Sequence, residues 1–171
     1  AKIFVDGVTE GNPHANPPAL PNAASLTDYL QPQFKVDANT QALEVIGYVD
    51  TESAACVELR HQSDANLPTM SAKDFYAEQG FSPLQCRKFN GVYEREEIFI
   101  RDYTLALYDA GINVHSHAIG DRAVRLALDS FTEAKKQSPK SKAKVSMANA
   151  QIIHPDDISR VADLTVCMDF T

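Results

Sequence analysis

Several features that would assign a chain to a function class at once are missing here. Three cysteines, Cys56, Cys86 and Cys167, stand far apart with no CxxC pair, so neither a disulfide framework nor a structural zinc site is expected. Buried free thiols in a reducing, cytoplasmic compartment are the expectation. No window reaches the ~18 apolar residues of a membrane span, and no basic-plus-apolar leader opens the chain. It begins Ala1-Lys2-Ile3, without methionine and already in strand-like sequence, which reads as an internal piece of a longer protein. Basic residues number 16 against 23 acidic ones, a net charge of −7 without a long acidic run. That balance argues against nucleic acid or an anionic membrane as the main partner. No GxGxxG or P-loop cluster follows any strand-like segment, which weakens an open-sheet nucleotide-binding domain.

What is present is an ordinary globular composition. The chain has 171 residues, 44% of them apolar and 23% charged, enough for one domain with a real core. Lys2–Asp6 reads as a strand closed by Gly7, with Ile3 and Val5 on one face and Lys2, Phe4 and Asp6 on the other. Gly11 to Pro32 is dense in proline, glycine and asparagine, including Pro13, Asn16, Pro17 and Pro18, and reads as a long loop. Residues 40–62 have no clean period: Ala42–Ile46 is open between strand and helix, and Thr51–Arg60 suits a short helix. Ser71 caps a helix that ends at Gly80.

From about residue 94 the pattern becomes regular. Phe99, Tyr103, Ala106, Leu107 and Ala110 recur at helical spacing, so 94–110 is a helix stopped at Gly111. A strand follows at 112–117. Asp121 is placed to cap a second helix, whose stripe is Val124, Ala127, Leu128, Phe131 and Ala134, ending at Ser138-Pro139. Lys144–Gln151 reads as a strand, Pro155–Asp163 as a helix and Leu164–Phe170 as a last strand. Helices and strands alternating with short connections predict an α/β fold with a parallel sheet, either a (β/α)₈ barrel or a doubly wound sheet. A full barrel needs roughly 200–250 residues, so a barrel here is a partial one. Residues 8–93 then form a long lid-like insertion after the first strand, and 94–171 the regular units of the same domain.

His115 and His117 lie two apart in a strand, so they share a face at its C-terminal end, where α/β folds place their ligands. The pair suits two nitrogen ligands on a metal; core or hydrogen-bonded histidines are the equal alternative. Gly120-Asp121 turns strand into helix, with helix capping the first reading of Asp121 and orientation of a ligand or bound water the other. At this point His117-Ala-Ile-Gly-Asp-Arg-Ala-Val124 resembles a hallmark of the type 3 amidohydrolases, the YtcJ-like proteins and N-substituted formamide deformylases. Lys2-Ile-Phe-Val-Asp-Gly7 resembles the family's K-[IF]-x-x-D-G strand, and Ala150-Gln-Ile-Ile-His-Pro-Asp-Asp-Ile158 resembles its A-Q-x-x-x-P-x-D-[IL] segment. The long separation of the first two motifs is similar to relatives of the exoenzyme-regulatory, AepA-like branch.

The resemblance implies a distorted (β/α)₈ barrel, of which this chain holds about strands four to seven. It also implies one or two divalent metals, usually zinc, and hydrolysis of an amide-like, non-peptide C–N bond in a small-molecule substrate. Homo-oligomerisation is left open. Lys2 matches the lysine that the family can carboxylate to bridge two metals, with an exposed terminal lysine as the alternative. His117 matches a metal-ligating histidine, and His115 is a second ligand, a substrate contact or neither. Where the family has Glu-His, this chain has Ala148-Asn149, and an amide oxygen is a poor zinc ligand beside imidazole. Asn149 therefore puts a binuclear site in doubt. The catalytic aspartate of the family has no counterpart in this chain, so its catalytic residue is unassigned. A second reading is a degenerate amidohydrolase-like module that binds a small molecule or a partner in regulation.

Overall fold

Short apolar strands alternating with amphipathic helices build an α/β fold around a parallel sheet, as the pattern after residue 94 predicts. The computed structural model describes residues 1–12 and 19–170; the expected loop positions Pro13, Asn16, Pro17 and Pro18 lie outside them. Two compact units emerge, one of Ala1–Glu10, Pro21–Thr27 and Asn90–Thr171, the other of Gly11–Leu20 and Asp28–Phe89.

The first unit carries β1 (Lys2–Phe4), α3 (Glu97–Asp109), β4 (Val114–Ala118), α4 (Asp121–Gln137), β5 (Val145–Asn149), α5 (Pro155–Asp163) and β6 (Cys167–Asp169). Its four strands are all parallel, in the order β1-β4-β5-β6. One face of the sheet, Ile3, Val114, Ser116 and Met147 with Val5 and Ala118, is buried. Its apolar members share a core with Ile100, Val124, Leu128 and Phe131 from the helices. On α4 the expected stripe of Val124, Ala127, Leu128, Phe131 and Ala134 is buried throughout. Burying Phe131 and Leu128 fully stabilises the fold by about 1.5–3 kcal/mol each.

Several expectations need correction. On α3 the buried face is Ile100, Thr104 and Tyr108, while Phe99 and Tyr103 are 51% and 44% exposed and stack on each other at 5.6 Å. That helix starts at Glu97, because Tyr93 and Glu94 are held in extended pairing with Asp6 and Val5. The cap of α4 is Gly120, with Asp121 the first helical residue. The last strand shrinks to Cys167–Asp169, since Leu164, Thr165 and Val166 carry the backbone hydrogen bonds that end α5.

The second unit holds the antiparallel hairpin of β2 (Gln31–Val36) and β3 (Leu43–Val49), then α1 (Ala54–Asp64), α2 (Ala72–Gln79) and a 3₁₀ turn at Pro83–Cys86. Gln31 and Pro32, expected in the loop, open β2 opposite Val49 and Tyr48. Proline is tolerated there because both strands of a two-stranded sheet have a free edge. The region left open at Ala42–Ile46 is strand, and α2 forms as expected, with Ser71 accepting from the Asp74 amide and Gly80 in the left-handed region at φ 76°. The cysteine expectation fails for two of three: Cys56 and Cys86 form a disulfide, and Cys167 is free but exposed. Pairing depends on Cα proximity, here 5.0 Å across a separation of 30 residues, which spacing in sequence does not reveal. The thiol argument for a reducing compartment falls with it. Among the described residues no helix is long and apolar enough to cross a membrane.

Candidate functional site

The face of the sheet opposite the helices carries the residues singled out from sequence. Parallel register sets Lys2 beside His115, Ser146 and Cys167, and Phe4 beside His117, Ala148 and Asp169. Because side chains alternate along a strand, all of these project from the open face. Lys2 is exposed, and its ammonium lies 4.9 Å from the Phe4 ring centroid. That ring in turn sits 5.1 Å from the His117 imidazole. The structure thus brings Lys2, His115 and His117 onto one surface, with Phe4 between Lys2 and His117.

The two imidazoles have different surroundings. His115 Nδ1 is 2.8 Å from Ser146 Oγ. The Nδ1 of His117 is buried with no hydrogen-bond partner and lies 4.0 Å from Asp6 Oδ1. A buried polar atom left in this way costs about 1–3 kcal/mol. Neither Nε2 makes a hydrogen bond among the described residues, and neither is walled in.

Asp6, which the sequence showed only as a motif letter, proves central. It is 1% exposed. Its Oδ1 accepts from the Ile119 amide at 2.9 Å, and its Oδ2 from Ala24 at 2.8 Å and Gly120 at 2.9 Å. Burial pushes the carboxyl above its ordinary 3.8, against these three donors and the nearby imidazole, which pull it down. Segment 21–27, unremarkable in sequence, is bound to the same end of the sheet. Ala24 O accepts from the Arg122 amide at 3.1 Å, and Asp121 Oδ1 accepts from Leu26 at 2.8 Å and from Arg122 at 2.9 Å. The Asp121 carboxylate therefore holds a loop and its own helix start, and it makes no hydrogen bond to either histidine. Signals for this segment were weak because its contacts run through backbone atoms, which residue identity does not encode. Ser146, on the neighbouring strand, was equally unmarked.

Asn149 ends β5 at φ 73°, followed by Ala150 at φ 40°. Asparagine enters this region readily, but alanine there costs roughly 1–2 kcal/mol, and such strain gathers at functional sites. Asn149 is in register with Ala118 and falls on the same side of the strand as Met147, so the strand places it on the face opposite the histidines before the positive φ turns the chain. It makes no hydrogen bond among the described residues. His154 is the N-cap of α5, its Nδ1 accepting from the Asp156 amide at 3.3 Å.

Two imidazoles and an amine on one face suit a divalent cation as a partial donor set. They do not close one: among the described residues no three His, Cys, Asp or Glu side chains come together as a metal site. The residues present do not fit a complete metal centre.

The chain belongs to the amidohydrolase family, whose model matches residues 34–171. The matched span includes His115, His117, Asp121 and Asn149 and leaves Lys2 and Asp6 outside. No curated protein matches the chain. Among solved structures it is similar to an uncharacterized metal-dependent hydrolase from Pyrococcus furiosus, with 21% identity and a TM-score of 0.39. The alignment covers 64% of this chain and 25% of that one. The chain thus spans about a quarter of the length of the structure it matches.

Proposed function

We propose that this chain is part of a metal-dependent amidohydrolase that hydrolyses an amide-like, non-peptide C–N bond in a small molecule. In this reading its parallel strands are about the fourth to seventh of a (β/α)₈ barrel, and the open face lines the barrel interior. The observation that carries the reading is the grouping of His115 and His117 with Lys2 on that face, at adjacent strands of a parallel sheet. His117 and His115 would serve as ligands to a divalent ion, zinc being the family's usual one, and Lys2 as the lysine available for carboxylation. The donors in this chain are too few for turnover on their own.

A second reading is a degenerate, regulatory member of the family, related to the AepA-like branch. Asn149, in the place of a family histidine, favours it. Elemental analysis of the full-length protein separates the two: the enzyme purifies with stoichiometric metal, a regulatory relic without it. Asn149→His is the second arm. If metal binding and hydrolysis of N-formyl or N-acyl amides both stay absent in wild type and variant alike, the catalytic reading is wrong.

A further inference from the structure

We propose that Asp6 and Ser146 are positioning residues that fix His117 and His115 in one tautomer, with Nδ1–H turned inward and Nε2 presented to the open face. For His117 the argument is a matter of lone pairs. Asp6 Oδ2 accepts two amides, from Ala24 and Gly120, whereas Oδ1 accepts only that of Ile119. A carboxylate oxygen has room for two donors, so Oδ1 retains one free site, and it is Oδ1 that faces His117 Nδ1 at 4.0 Å. That nitrogen is buried without a partner, and a movement of about 1 Å brings the pair into hydrogen-bond range. Ionised, and held so by three amides that favour the carboxylate, Asp6 can only accept, so the proton in that bond comes from His117.

For His115 the hydroxyl decides. Ser146 Oγ lies 3.4 Å from Val114 O, a carbonyl that can only accept. With its proton directed there, the oxygen accepts from His115 Nδ1 at 2.8 Å. Both rings are thus anchored by the same atom on the sheet side. An imidazole whose second nitrogen is held by a carboxylate or hydroxyl is oriented and made more basic for an ion. Presentation of two Nε2 atoms to one ion rests on the metal reading above; the tautomers themselves do not.

The test is a long-range ¹H–¹⁵N correlation of the full chain labelled at its histidine rings, above the ordinary imidazole pKa of about 6.5. His115→Gln and His117→Gln assign the two signals. Wild type is expected to show Nδ1–H on both rings. Asp6→Asn, whose amide turns a donor toward Nδ1, switches His117 alone to Nε2–H, and Ser146→Ala releases His115 alone. An Nε2–H ring at His117 in wild type overturns the proposal, and that spectrum decides even if Asp6→Asn fails to fold. So does a His117 signal unmoved in a folded Asp6→Asn variant. In the full-length protein, Asp6→Asn should weaken zinc binding by roughly 10–100-fold. A wild type with no affinity for zinc would remove the metal reading, while the tautomers still stand or fall on the spectrum.

Discussion

Gly120 shows how closely backbone meets backbone at the carboxyl end of the sheet. A Cβ on it would lie 2.0 Å from Ala24 O, although its φ of −77° suits any residue. Gly111 is the opposite case, at φ 75° with open space around it. Gly120→Ala must push away the strand of chain that Asp6 and the Arg122 amide hold, so the expected loss is about 2–3 kcal/mol. Gly111→Ala carries only the left-handed penalty of about 1 kcal/mol. Denaturant midpoints of the two variants check this, and equal losses would show that the 21–27 segment is not packed as described. The same pair explains what the sequence could reveal of the site. Spacing alone placed His115 and His117 on one face, and the resemblance to the family made Lys2 a candidate. It could not reveal Asp6, Ser146 or Ala24, whose roles come from backbone donors and from a neighbouring strand brought together only in the fold.

At the level of elements, α5 is fastened to α4 by charge. Asp157, 2% exposed, accepts from Arg125 Nε at 2.8 Å and from Arg160 at 2.7 Å, and Arg160 also reaches Asp129 at 2.6 Å. Burial is the largest single influence on the Asp157 carboxyl and raises it, but the two arginines together outweigh it and hold it below its ordinary 3.8. A carboxyl depressed in the folded state stabilises the fold above its unfolded value and loses that contribution as pH falls through the folded one. Wild type should therefore lose stability below about pH 4 more steeply than Asp157→Asn, which should be weaker by about 2 kcal/mol at neutral pH, since both arginines are part-exposed and screened. Urea unfolding across roughly pH 2–7 measures it; parallel curves would assign the acid sensitivity elsewhere. The motif aspartate at this position is accordingly structural. Elements with long, single-phase stripes, such as α4, and with a proline start, such as α5, were legible because their signals are local. The face of α3 was not: two apolar rows overlap there, and the buried one contains Thr104, which is 1% exposed although its hydroxyl reads as polar.

At the scale of the whole molecule, the second unit is the one whose stability leans on a covalent link. The core of the second unit is small: Val49, Cys56, Phe75, Phe81 and Cys86, with Ala55 and Leu59 packed against it. Its hairpin leaves Val45, Ile46 and Tyr48 at least half exposed. A core of this size supplies little stability by itself, and a covalent link is a usual remedy. Cys56 and Cys86, 0% and 1% exposed, join the start of α1 to the 3₁₀ turn. Closing a loop across a sequence separation of 30 restricts the unfolded chain by about 3.6 kcal/mol in the loop-entropy treatment. Cys56→Ala/Cys86→Ala should therefore speed amide exchange in α1, α2 and the 3₁₀ turn by roughly two orders of magnitude, since ~1.4 kcal/mol corresponds to tenfold and part of the loss is recovered by apolar packing of the alanines. The Cys167→Ala variant, which removes an exposed thiol with no partner, should leave the same amides unchanged. If the double variant exchanges no faster than Cys167→Ala, the second unit does not depend on its disulfide.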